Sequence, residues 1–275
     1  MAKTISEHQL EEYQQQGFLF PFPVLSESET AALREKVEQL ELREGGRLPA
    51  RVNRKPHLLL TWLNELIRDR RILDPVEDIL GPNILCWGSS FFIKNAHDPG
   101  RVTWHQDSTY WGLSKPDIVT AWVAFTPSTT ENGCMRVVPG THTFEQLPHR
   151  DTFAADNLLS RGQEIAVTVD ESRAVDVVLE PGQMSLHHVR LVHGSEPNHA
   201  TYRRIGFAIR YLPTYVKQVA GTGDSATLVR GTDAYGHFLL EPAPRSDFHP
   251  DAVAFHSEML AANDQIIYAG TKPKQ

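Results

Sequence analysis

The chain has 275 residues, 40% of them hydrophobic and 22% charged, a globular make-up long enough for one large domain or two small ones with a sizeable core. Its formal charge of -7 argues against an extended nucleic-acid footprint, which needs clustered Lys and Arg, but leaves room for a local basic pocket. Residues 1–8 lack the apolar stretch of a secretory signal, no run approaches the ~18 apolar residues of a membrane span, and Cys86 and Cys134 are too few for a disulfide framework, so a cytoplasmic protein with buried free thiols is expected.

In chain order, the first third reads as helical. Ser6 with Gln9 and Ser26 with Glu29 have capping-box spacing. Leu33, Val37, Leu40 and Leu42 then follow a helical face that Gly45 and Gly46 end. Residues 58–67 form another apolar helical candidate, and Asp74-Pro75 reads as a helix start with Gly81 as its stop. From Asn83 to about Thr214 the texture becomes short β-type runs: 84–93, 102–107, 118–125, 135–138, 164–169, 174–179, 184–187 and 205–212. Turn signals separate them, as at Glu131-Asn132-Gly133, Pro139-Gly140 and Pro181-Gly182. Many short strands in succession predict a sandwich or jelly roll. Residues 141–163 read as a helical insertion or a lid, and the tail from Ala220 carries one predicted helix at 250–263. The expected division is one domain over 1–275: helices in 1–82, a β core in 83–214 with the insertion at 141–163, and an extension in 215–275.

The chemistry-bearing motif is Trp104-His105-Gln106-Asp107 at a predicted strand end. Residues two apart on a strand share a face, so His105 and Asp107 would supply two legs of a metal tripod. The third leg is expected from His187, His188 or His193. Two imidazoles and a carboxylate on one face of an octahedral metal leave three positions open, the facial triad of non-haem iron(II) oxygenases. Eleven residues beyond His193 comes Arg204, whose guanidinium fork matches a carboxylate; Arg203 would point the other way.

Taken with Glu131-Asn132-Gly133-Cys134-Met135, Val138-Pro139-Gly140-Thr141-His142 and His193-Gly194-Ser195, these residues give a sequence that resembles the phytanoyl-CoA dioxygenase family of iron(II)/2-oxoglutarate oxygenases from about Phe18 to Leu212. The resemblance implies a β-rich α+β fold: a double-stranded β-helix, or cupin-like jelly roll, with N-terminal helices packed on its sheet. It assigns His105, Asp107 and His193 to iron(II), and Arg204, helped by Ser195, to the distal carboxylate of 2-oxoglutarate, with dioxygen as the oxidant. Lys94 or Asn95 becomes a candidate for the co-substrate's other end, Trp122 a pocket wall, and His142 the holder of a turn. Because Asp107 is a carboxylate where related halogenases have a small residue, hydroxylation is expected, with desaturation or cyclisation compatible with the same ligands.

For the substrate, Ser108, Tyr110 and Trp111 lie close in sequence to the metal motif, and Arg101, Arg190 and Arg230 could meet an anionic group. The leading expectation is a small polar metabolite, with 2-aminoethylphosphonate as a specific candidate and a natural-product scaffold as the alternative. A zinc- or manganese-dependent enzyme on a related jelly roll would use the triad without needing Arg204; a non-catalytic metal- or ligand-binding descendant is the other alternative, against which the intact triad and arginine argue. No nucleic-acid or membrane partner is expected, and no feature sets an oligomeric state.

Overall fold

The computed structural model describes residues 4–269. Helix α1 (Glu7–Gln16) and the long α2 (Glu27–Arg43) begin at Ser6 and Ser26, and both capping boxes form: each serine hydroxyl accepts the amide of the third helical residue, whose side chain accepts the serine amide. Between them runs β1 (Phe18–Pro23), a strand within the predicted helical third. Its two prolines place it at a sheet edge, where a missing N–H leaves no broken ladder. Val37 and Leu40 are buried as their spacing predicts, whereas Leu42 is 77% exposed because it falls off that stripe.

Three short helices follow: α3 (Ala50–Asn53), α4 (Thr61–Leu66) and α5 (Arg70–Leu80). The helix predicted over 58–67 is shorter, Thr61–Leu66, and follows a 3-10 turn at Pro56–Leu58. The start predicted at Asp74-Pro75 is also corrected. Asp69 caps α5 by accepting the Arg71 amide at 2.9 Å, and Pro75 lies inside the helix, which ends at Gly81 as predicted.

The remaining strands are β2 (Ile84–Lys94), β3 (Val102–His105), β4 (Val119–Ala124), β5 (Met135–Val137), β6 (His149–Asp151), β7 (Gln163–Ile165), β8 (Val175–Val177), β9 (Gln183–His188), β10 (His193–Ser195), β11 (Arg204–Pro213), β12 (Ser225–Arg230) and β13 (Leu239–Leu240), before helix α6 (Pro250–Ile267). The large sheet runs β1-β9-β4-β11-β2-β12-β13 and the small one β3-β10-β5-β8, antiparallel apart from β12 with β13. This is the predicted jelly roll. The insertion at 141–163 is not helical: it opens with a 3-10 turn and folds as the β6–β7 hairpin. Strands β12 and β13, unforeseen in the tail, extend the large sheet.

Both faces of the large sheet are covered, which is why all six residues of β4 are buried. Val119, Ala121 and Val123, with Ile205, Phe207 and Ile209 of β11, pack on Val37, Leu63, Ile72 and Val76 of the helices. Each such aliphatic side chain contributes about 1.5–3 kcal/mol when fully buried. Trp122, Ala124 and Ala208 face inward toward Met135, Val137 and Val177 of the small sheet. Parity on β11 therefore separates neighbours: Arg203 faces out and forks onto Glu41 of α2 at 2.8 and 2.9 Å, while Arg204 faces the interior. The extension is fastened by a buried cluster in which Glu241 accepts from Lys55 (2.7 Å), Ser225 (2.7 Å) and Thr227 (2.5 Å) and lies 3.2 Å from His57. Cys86 and Cys134 are free and buried, and no described helix is long and apolar enough to cross a membrane.

Candidate metal centre and active site

His105 and His193 are direct partners across the β3–β10 ladder, which brings their ring centroids to 4.1 Å. Each Nδ1 meets the carbonyl two residues back, Thr103 and Leu191 respectively, at 2.9 Å. With Nδ1 protonated and donating, each Nε2 keeps its lone pair for a metal. Asp107 Oδ1 lies 3.3 Å from His105 Nε2 and 3.9 Å from His193 Nε2, and one ligand atom from each residue lies within 4.8 Å of the others.

Asp107 reaches this position by a different route from the one strand alternation suggests. β3 ends at His105, and Asp107 opens a 3-10 turn whose amide donates to Val189 O at 3.0 Å. Burial alone would raise its pKa, but the close approach of His105 Nε2 and the nearby His193 and Arg210 hold it below the usual carboxylate range. Burial also keeps His193 neutral, well below the ordinary imidazole value. Two imidazoles beside an ionised carboxylate are a donor set suited to a divalent metal.

His187 is not on the strand of His193. It is the last residue but one of β9 in the large sheet and faces the same cavity from the opposite side, 4.9 Å ring to ring from His193. His188 lies next to it, with Nδ1 accepting the Arg190 amide at 3.1 Å. His142 ties its turn to α1, donating from Nε2 to Gln14 O at 3.0 Å.

The pocket beside the triad, counted out to its open mouth, spans about 450 Å³. Phe92, Trp122, Met135 and Ala208 supply apolar wall, and Thr120, His187, Ser195, Arg204 and Arg210 supply polar groups. Arg204 is buried, lies 5.5 Å over the Trp122 ring and donates Nη1 to the Gly133 carbonyl, while its Nε has no partner. Burial lowers its pKa only to about 10, so it stays charged. A sheltered guanidinium with an unused donor and no carboxylate partner suits the distal carboxylate of a dicarboxylic co-substrate.

Lys94 is opposite Arg204 in the β2–β11 register, and its Nζ donates to Ser195 Oγ at 2.7 Å and to Glu196 O. It therefore sits at the Arg204 end, not at the co-substrate's other end. Burial, aided by the Arg204 charge, holds its pKa down to about 6. Asn95 follows on the loop, where its amide is held by Asp98.

The suggested substrate residues do not gather at the triad. Arg230 is locked to Asp74 and Glu77 of α5, at 2.6 and 2.5 Å. Ser108 bonds to Gln146 of the insertion, Tyr110 lies 3.8 Å under the Arg161 guanidinium, and Trp111 packs on Trp87 at 4.9 Å. Arg101 pairs with Asp156 at 3.0 Å. Arg190 takes no place in the cavity lining. The residues missed by sequence reasoning are Thr120 and Arg210, and Arg210 shares its strand parity with Arg204.

A jelly roll that converges two imidazoles and a carboxylate beside a guanidinium-capped cavity defines the mononuclear non-haem iron oxygenases. This chain belongs to the phytanoyl-CoA dioxygenase (PhyH) family, whose profile matches residues 13–206, and it is an iron(II)/2-oxoglutarate-dependent dioxygenase. It is similar to a probable alpha-ketoglutarate-dependent hypophosphite dioxygenase of Stutzerimonas stutzeri, 27% identical over 235 residues, which are 78% of this chain and 82% of that protein. Among solved structures, the apo form of the non-heme monooxygenase ThoJ superposes with a TM-score of 0.83 at 37% identity, covering 94% of this chain and 96% of the other. CytC3 with Fe(II) and alpha-ketoglutarate gives a TM-score of 0.66 at 26% identity, covering 90% and 96%.

Proposed function

We propose that the protein hydroxylates a small polar metabolite, with His105, Asp107 and His193 holding iron(II) and Arg204 receiving the distal carboxylate of 2-oxoglutarate. The observation that carries this reading is the pairing of a three-ligand cluster with a buried, carboxylate-free Arg204 in one cavity. A zinc hydrolase or a metal-binding carrier has no use for that arginine. With iron(II) bound, dioxygen would be the oxidant: one of its oxygen atoms would go to the substrate and the other to 2-oxoglutarate, which would leave as succinate and carbon dioxide. The protein's own residues bind, orient and exclude water. Trp122 supports the Arg204 guanidinium from below, Ser195 and Lys94 complete the polar end, and Phe92 and Met135 keep the wall apolar.

The choice of a small polar substrate is supported by the limited cavity and by the polar side chains Thr120, His187 and Arg210 at its metal end. The phosphorus oxyanion named for the Stutzerimonas relative keeps 2-aminoethylphosphonate as the specific candidate. A reducing cytoplasmic setting belongs to the same proposal, supported by the two buried free thiols. The test is succinate release from a panel led by aminophosphonates and small amino acids, with product mass measured. Substrate-dependent succinate with a product heavier by one oxygen supports the proposal. Succinate formed only with large scaffold substrates, or product without oxygen gain, overturns it.

A further inference from the structure

The inward face of β11 carries a second arginine, Arg210, six residues beyond Arg204 and roughly 20 Å away along the strand at about 3.3 Å per residue. Its cross-strand partner on β4 is Thr120, and the partner of Thr120 on β9 is His187. The three side chains therefore form a polar row across three adjacent strands, at the opposite end of the cavity from Arg204.

Arg210 donates Nη1 to Ser90 Oγ at 2.9 Å, and its guanidinium lies 5.5 Å from the Trp111 ring centroid. It makes no ion pair among the described residues. Arg203, Arg161 and Arg230, sheltered to a similar degree, are each matched by a carboxylate. Asp107 is the acid whose charge reaches Arg210, and that carboxylate is turned toward the two histidines. Beside Arg210, Thr120 has only a long 3.5 Å contact to Asp107, and His187 Nδ1 is buried with no hydrogen-bond partner. A buried polar atom left without a partner beside a sheltered cation is costly unless a polar ligand fills the space, and the cation favours an anionic one. Charge points the same way: iron(II), Arg204 and Arg210 outweigh Asp107 by more than the 2-oxoglutarate dianion removes.

We propose that Arg210, with Thr120 and His187 beside it, forms an oxyanion subsite at the metal end of the cavity. The inference rests on the iron and 2-oxoglutarate reading above. A carboxylate or phosphonate fits the guanidinium fork in bidentate geometry. That group has two sources: an acidic group of the substrate, or the inner carboxylate of 2-oxoglutarate.

The test uses the anaerobic iron(II)-loaded protein. In one arm 2-oxoglutarate is titrated into wild type and Arg210→Met, following the visible band of the chelated 2-oxo acid. In the other, with 2-oxoglutarate saturating, propionate, ethylphosphonate and neutral propionamide are titrated and read by the shift of that band and by tryptophan fluorescence. At least tenfold weaker binding of an oxyanion by Arg210→Met, with propionamide unchanged, is expected. Loss confined to propionate or ethylphosphonate assigns the subsite to the substrate, and loss confined to 2-oxoglutarate assigns it to the inner carboxylate. Equal affinities in both arms overturn the subsite. A wild-type protein that gives no band removes the iron reading and the subsite with it, whereas a normal band with equal affinities removes the subsite alone. If Arg210→Met does not fold, Arg210→Lys keeps the charge and loses the fork; several-fold weaker oxyanion binding supports the subsite and unchanged binding overturns it.

Discussion

Gly206 lies under the indole of Trp122, between Arg204 and Ala208 on the inward face of β11. A Cβ added there would stand 1.8 Å from Trp122 Cζ2 and 2.3 Å from Cε2 and Cη2. Gly206 is not among the residues with positive φ, so the backbone accepts alanine and the whole effect of Gly206→Ala is steric. Carbon contacts settle at about 3.5–4.0 Å, so the ring must withdraw by roughly 1.5–2 Å. Met135 and Ala208 crowd it, and Arg204 rests on its face. The overpacking is expected to cost about 1–3 kcal/mol of stability. Loss of the Arg204 cation–π contact, worth about 0.5–2 kcal/mol, is expected to weaken 2-oxoglutarate binding by about 2- to 30-fold at 1.4 kcal/mol per decade. Urea unfolding and an anaerobic titration of the iron-loaded protein measure the two quantities. Trp122→Phe shortens the ring, so the double variant should lose less stability than the sum of the singles. Wild-type stability and 2-oxoglutarate affinity in Gly206→Ala, or strict additivity in the double variant, would refute the reasoning.

Other expectations follow from the same packing. His193→Ala should lose metal by more than the roughly 10–100-fold typical of outer-sphere changes, while His187→Leu should retain iron(II) measured by equilibrium dialysis; comparable loss in both would contradict the ligand assignment. Glu241→Gln should destabilise the fold by about 3–5 kcal/mol in urea, because it leaves Lys55 buried without its counter-charge. Burial alone would raise the Glu241 pKa, but Lys55 and His57 hold it below the usual 4.5. Its stabilisation is therefore fully present above pH 4.5 and is lost as pH falls through the depressed folded value, so the variant should show a flatter stability profile in that acid window. Arg161→Met removes the stack on Tyr110, the pairing with Asp151 and the 3.2 Å bond to Ile267 O, and should speed proteolytic cleavage within 141–163 without altering metal affinity.

The metal motif was legible because it is local: His105 and Asp107 sit two apart, and His193 carries Gly-Ser and a well-spaced arginine after it. Even so, the reason first given for Asp107, strand alternation, is not the one the fold uses, since a 3-10 turn and the Val189 carbonyl place it. Capping boxes at Ser6 and Ser26 were readable for the same local reason. What failed to show depends on tertiary pairing. Arg230 looked available until α5 supplied Asp74 and Glu77, and Lys94 could be placed at the correct end only once β2 was paired with β11. Strand β1 was masked by prolines that an edge position tolerates, and the β6–β7 hairpin by a polar stretch lacking strong alternation. Arg210 was within reach, because positions 204 and 210 share strand parity, yet its role emerges only from the row it forms with Thr120 and His187.

The most direct test of the central claim is an anaerobic titration of metal-free protein with iron(II) and then 2-oxoglutarate, watching the weak visible band of a metal-chelated 2-oxo acid in wild type, His105→Ala and Arg204→Ala. The account predicts a band in wild type, its absence in His105→Ala, and in Arg204→Ala a band that requires at least tenfold more 2-oxoglutarate. Folded, iron-loaded wild type without the band, or an Arg204→Ala titration that overlays wild type, would contradict it.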